Sequence, residues 1–112
     1  MSILSELNTL LSPVLPLETG IYSGTAPDEY LVLIPLTDTL DFFTDDKPLA
    51  EISEVRISIY SKGNYNEVKN TITNSLLQAE FTITDRRYIE FEEDTLYHHY
   101  AIDVAKNYEM EE

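Results

Sequence analysis

The chain has 112 residues, no cysteine, and 21 Asp+Glu against 7 Lys+Arg, a formal net charge of −14. That length suits one domain and is short for two, and a hydrophobic content of 43% is enough to build a core. A nucleic-acid-binding domain that works through a basic face is close to excluded, an anionic membrane surface is repelled, and disulfides, thiolate metal sites, Fe–S clusters and cysteine nucleophiles have no residues to form them.

The longest mostly apolar run, residues 30–36, contains Pro35 and falls far short of a membrane span. Residues 1–6 carry no Lys or Arg, so no signal peptide is expected. The expectation is a small, soluble, intracellular acidic domain.

The first segment predicts a helix. Ser2 suits an N-cap, and Ile3, Leu4, Leu7, Leu10, Leu11 and Val14 recur at three- and four-residue spacing until Pro13 and Pro16 end the pattern. Residues 19–22 read as extended, and Gly24, Pro27 and Asp28 as a loop. Residues 30–36 are a strand candidate whose continuous apolar character predicts burial on both faces, or one face on the core and one on a partner. Residues 40–44 read as a returning strand or an extended arm, with Asp38, Asp41, Asp45, Asp46 and Pro48 making the stretch acidic and loop-like at both ends.

Residues 51–60 give the cleanest strand, because Val55, Ile57 and Ile59 alternate with Glu54, Arg56, Ser58 and Tyr60. After Ser61, Lys62 and Gly63 break it, Asn64 caps a second helix, with Glu67 placed to reach back and an apolar stripe of Val68, Ile72, Leu76 and Ala79. Ile83, Tyr88, Ile89 and Phe91 predict one extended stretch interrupted by Asp85, Arg86 and Arg87. Glu92, Glu93 and Asp94 predict a turn, and residues 96–104 the last strand. Residues 107–112 read as a frayed acidic tail. Helices and strands do not alternate strictly, so the expected fold is a single α+β domain over residues 1–112, a mixed, mostly antiparallel β-sheet with two helices packed on it.

Side chains that might carry chemistry are few. His98 and His99 are adjacent on a strand and point to opposite faces, so they cannot grip one metal ion together; a site would need one of them with carboxylates, for instance His99 with Asp103. The acids of residues 38–46 lack the glycine and closing glutamate of a calcium loop and have Phe42 and Phe43 in their middle. Glu90, Glu92, Glu93 and Asp94 lie where solvent would keep their acidity ordinary, and no nucleophile elbow, phosphate-cradling glycine loop or zinc-protease helix is present. The expectation is no enzyme, no cofactor and no metal.

The surface is more informative. Phe42 and Phe43 sit side by side in an acidic stretch, and the 8 tyrosines suit interfaces, where an apolar body and a polar tip both serve. Arg86 and Arg87, the only basic pair, suit a salt bridge to a neighbouring subunit or to the turn at residues 92–94. Leu40, Phe42, Phe43, Arg86 and Arg87 are therefore the interface candidates.

Val55-Arg56-Ile57-Ser58-Ile59-Tyr60-Ser61-Lys62-Gly63-Asn64-Tyr65, followed by an amphipathic helix, resembles a signature of the tail terminator, or tail completion, proteins of long-tailed bacteriophages and prophages. Glu93-Asp94-Thr95-Leu96-Tyr97-His98-His99-Tyr100-Ala101-Ile102 is similar to the same family's approach to its final strand. Departures are the double histidine and the short, strongly acidic C-terminus. Gly63 reads as the backbone turn into the helix.

The resemblance implies a virion protein made in the host cytoplasm that assembles with itself as a ring, commonly a hexamer. It implies the tail tube protein and a head connector or head-completion protein as partners, with DNA passing through without specific binding. Such a ring ends tube polymerisation and offers the head–tail joining surface. A head-closure role and an acidic DNA-mimic inhibitor are the alternatives. An acidic lumen repels phosphate, so Asp38, Asp41, Asp45, Asp46, Glu90, Glu92, Glu93 and Asp94 are the channel-facing candidates.

Overall fold

The computed structural model describes residues 2–21, 24–42 and 48–109. Ser2 opens the chain as an N-cap, its Oγ accepting from the Ser5 amide at 3.2 Å, and α1 runs Ile3–Leu11 with Ile3, Leu7 and Leu11 buried. The helix ends one turn before the predicted limit. Val14 and Leu15 cap it from the following turn through amide bonds to the Leu11 carbonyl, ahead of Pro16.

Strand β1 (Leu17–Thr19) is short and precedes the stretch expected to be extended. β2 (Glu29–Phe42) and β3 (Pro48–Ser61) form a long antiparallel hairpin, α2 (Tyr65–Gln78) crosses over, and β4 (Thr82–Glu92) and β5 (Tyr97–Glu109) form a second antiparallel pair. The sheet order is β1-β2-β3-β5-β4, with β1 parallel to β2 and every other pairing antiparallel. This is the mixed, mostly antiparallel α+β sheet with two helices that the element order predicts.

One face of the sheet carries the core. Leu31 and Leu33 of β2, Val55, Ile57 and Ile59 of β3, and Ile102 and Val104 of β5 meet Ile3, Leu7 and Leu11 of α1 and Ile72 and Leu76 of α2. Both helices present an apolar stripe and need one flat apolar surface, which the alternate residues of three neighbouring strands provide. Strand alternation sends Val32, Arg56, Ser58, Tyr60, Ala101 and Asp103 to the opposite, helix-free face.

Four segments differ from expectation. Asp85, Arg86 and Arg87 do not interrupt the strand: β4 runs through them, with register shifts at Ile83/Asp85 and Tyr88/Glu90 absorbing the irregularity. Asp38 and Asp41 stand within β2 rather than in a loop, because Thr37, Asp38, Thr39, Leu40 and Asp41 pair with residues 50–54. Asn107, Tyr108 and Glu109 are not frayed; they pair with Ile52, Glu51 and Ala50. Burial of the apolar run holds for Leu31, Val32 and Leu33, whereas Leu36 is exposed.

α2 closes with a turn that the sequence conceals. The Phe81 amide bonds the Leu76 carbonyl at 3.0 Å and the Glu80 amide the Leu77 carbonyl at 3.2 Å, with Glu80 at φ 66°. This is a Schellman cap, a conformation that favours glycine, here adopted by a glutamate. Phe81 and Leu76 are both buried beneath it.

Candidate interaction surface

The β2–β3 hairpin outruns the helices. β1 covers the outer edge of β2 only from Leu31 to Leu33, and beyond it residues 35–40 are exposed, with Leu36 at 42% and Leu40 at 45%. The arm gives the molecule its long axis, 53 × 26 × 24 Å. Thr37 stiffens it by donating from Oγ1 to Glu54 Oε2 at 3.0 Å. A groove lined by Ser2, Ile3, Pro35, Asp38, Glu51 and Tyr108 lies where the arm leaves α1.

At the other side of the sheet β4 is an edge strand. It exposes Tyr88, Ile89 and Phe91, continued by Leu96 in the following turn. Arg86 and Arg87 stand in its middle on opposite faces, as adjacent strand residues must. Arg86 Nη1 approaches Thr73 Oγ1 of α2 at 3.5 Å, and Arg87 Nε pairs with Asp85 Oδ2 at 2.6 Å. Arg87 thus binds its own strand rather than the turn at residues 92–94.

Above this edge sits an aromatic group. Tyr65 of α2 packs against Tyr88, His98 and Tyr100, Phe91 packs against His98, and Tyr88 Oη lies 2.9 Å from His98 Nδ1.

The helix-free face carries a second aromatic group. Tyr60 stacks on Tyr30 and on His99, and Tyr97 meets Tyr30 and Tyr60 edge-on while its hydroxyl donates to the Pro27 carbonyl at 2.6 Å. This pins the loop at residues 24–28 to the sheet. Beside it Arg56 and Asp103, directly opposite on β3 and β5, form a two-pronged pair at 2.8 and 3.1 Å. His99 Nε2 is buried with no hydrogen-bond partner among the described residues. Burial pushes the His99 imidazole below its ordinary value, outweighing the opposite pull of the Glu92 and Glu90 carboxylates.

The signature residues do structural work. Ser61 is buried, donates to Glu29 Oε2 at 2.9 Å and accepts from the Gly63 amide at 3.1 Å, while Lys62 lies 4.8 Å above the Tyr97 ring. Gly63 makes the bend without a positive φ, which only Gly20 and Gly24 adopt among the described glycines. Asn64 caps α2, its Oδ1 accepting from the Asn66 amide.

No protein-family model matches the chain, and no curated protein matches it.

The acids expected to line a channel fall into two places. Asp38 and Asp41 are on the arm, and Glu90 and Glu92 end β4, with Glu93 and Asp94 in the turn after it. Asp38 is level with Lys106 and Glu92 with Tyr97, so the two groups stand about 30 Å apart along β5. Phe43, Asp45 and Asp46 lie outside the described residues, as does the Phe42 side chain. Among the described residues no three His, Asp or Glu side chains gather closely enough to hold a metal ion, and His98 and His99 point to opposite faces. Sequence reasoning gave Tyr88, Ile89 and Phe91 an extended conformation and no surface role, and the position of β4 at the sheet's edge exposes them. Leu36 is exposed on β2 beyond the reach of β1.

Proposed function

We propose that the chain is a non-enzymatic structural subunit of a long-tailed phage particle, which assembles as a ring on the head-proximal end of the tail tube. The ring stops tube growth and presents the head connector with a new face. The observation that carries this reading is the β2–β3 arm, a stiff hairpin that leaves the two-layer body and exposes Leu36 and Leu40. An exposed apolar hairpin is a hazard to a solitary domain and an asset to one that meets neighbours.

Two further features support it. The resemblance of residues 55–65 and 93–102 falls on residues that build the strand–turn–helix corner and the approach to β5, parts that a shared fold would retain. The net charge of −14 suits a wall past which DNA slides without sticking.

Native mass measured over a range of protein concentrations tests the reading, followed by mixing with tail tubes of the cognate phage. A closed oligomer of one size, or binding confined to tube ends, is expected. A chain that stays monomeric and ignores tube ends overturns it.

A further inference from the structure

We propose, resting on the ring reading above, that β4 of one copy pairs edge to edge with the β2 arm of a second copy, so that the ring closes as one continuous sheet.

Two open edges make this possible. Among the described residues β4 pairs only with β5, and β2 beyond Leu33 pairs only with β3. Each therefore turns a row of backbone N–H and C=O groups outward. Single-chain domains blunt such edges by keeping them short, as β1 does with three residues. β4 has 11 residues and exposes Tyr88, Ile89 and Phe91 along them. Between its two register shifts, residues 85–88 pair regularly with β5.

Charge selects the second copy as the occupant. In a chain of net charge −14, Arg86 of the β4 edge has no carboxylate partner among the described residues, Arg87 being held by Asp85, and the open edge of the arm carries Asp38. The faces agree as well. Arg86 lies on the helix side of the sheet, beside Thr73 of α2, and Asp38 lies on the helix side of the arm, in the groove with Ser2 and Ile3. A sheet continued across the junction therefore brings Arg86 and Asp38 to the same surface. In the antiparallel register that sets Arg86 against Asp38, exposed Leu36 falls level with exposed Tyr88.

Direction also fits. β2 is antiparallel to β3, β3 to β5 and β5 to β4, so β2 and β4 run oppositely within one copy. Rotation about a ring axis keeps those directions, and a neighbour's β2 meets β4 antiparallel. The arm continues past the level at which β4 begins, Thr82 being opposite Ala105, so the sheet must tilt against the ring axis, as strands do in closed barrels. The contact uses different surfaces on the two copies, the kind that closes a ring.

Charge reversal tests it on the full chain. Arg86→Glu and Asp38→Lys are each expected to raise the concentration needed for assembly by about tenfold, and the two changes made together in every copy to restore it. Circular dichroism and urea midpoints of all three variants confirm that they fold. If both single variants assemble like the parent, or if the double variant fails to recover, the pairing is overturned while the ring itself stands. If the parent forms no oligomer even at tube ends, the pairing and the ring reading fall together.

Discussion

Tyr108 donates its hydroxyl to Glu6, joining the end of β5 to the first helix across 102 residues of sequence. Lys106 Nζ reaches the same carboxylate at 3.4 Å, bonds the Ala79 carbonyl at 3.1 Å and lies 4.3 Å above the Phe81 ring. Glu6 is thus the knot that ties α1 to the far end of the sheet and to the corner where α2 turns into β4.

That knot predicts an alkaline limit. Burial first, and then the hydrogen bond and charge of Glu6, raise the Tyr108 phenol above its ordinary 10.0. The stability it contributes is fully present below about pH 10 and is lost as pH rises toward the folded-state value, because the unfolded phenol ionises first. Tyr108→Phe is expected to cost about 1 kcal/mol at neutral pH. Urea midpoints measured in parallel should show the gap between parent and variant closing above about pH 10.

His99 predicts the opposite dependence. Its depressed pKa means that the stability it contributes is present above the ordinary 6.5 and is lost as pH falls through the folded value, since the unfolded imidazole takes the proton first. His99→Phe keeps an aromatic ring against Tyr60 and removes the titration. The variant should lose less stability than the parent between about pH 7 and pH 5, read as the shift in thermal midpoint.

Glu80 at φ 66° adopts a backbone conformation that side chains resist. Glu80→Gly should stabilise the protein by about 1 kcal/mol, since the Schellman cap already has its two hydrogen bonds. A variant less stable than the parent in chemical unfolding would refute that account of the corner.

Leu36 and Leu40 are exposed on the arm and lie outside the buried core. Leu36→Ser with Leu40→Ser should leave the thermal midpoint within a few degrees of the parent while weakening assembly. Leu7→Ala, which opens the buried core, should cost about 3 kcal/mol. The two variants separate surface from core by native mass and calorimetry.

Much of the fold was legible because it rests on local chemistry. Ser2 and Asn64 cap their helices as their side chains dictate. The period-two run around Val55, Ile57 and Ile59 buries one face, and the apolar stripe of α2 buries Ile72 and Leu76. Proline placement ended α1 early, and the single break at residues 61–64 put α2 between two hairpins. Adjacency alone sent His98 and His99 to opposite faces and removed a joint metal site.

What the tertiary structure decided were the strand ends and edges. Asp38 and Asp41 join β2, and residues 107–109 join β5, because β3 supplies partners on both its sides out to Ala50; charge that predicts a loop in isolation is tolerated where one flank stays in water. Arg86 and Arg87 continue β4 because bulges let an edge strand re-aim its side chains without losing its neighbour. The exposure of Leu36, Tyr88, Ile89 and Phe91 depends on which strands are outermost. Strand order follows from pairings between residues far apart in the chain, and composition and periodicity carry no record of those pairings.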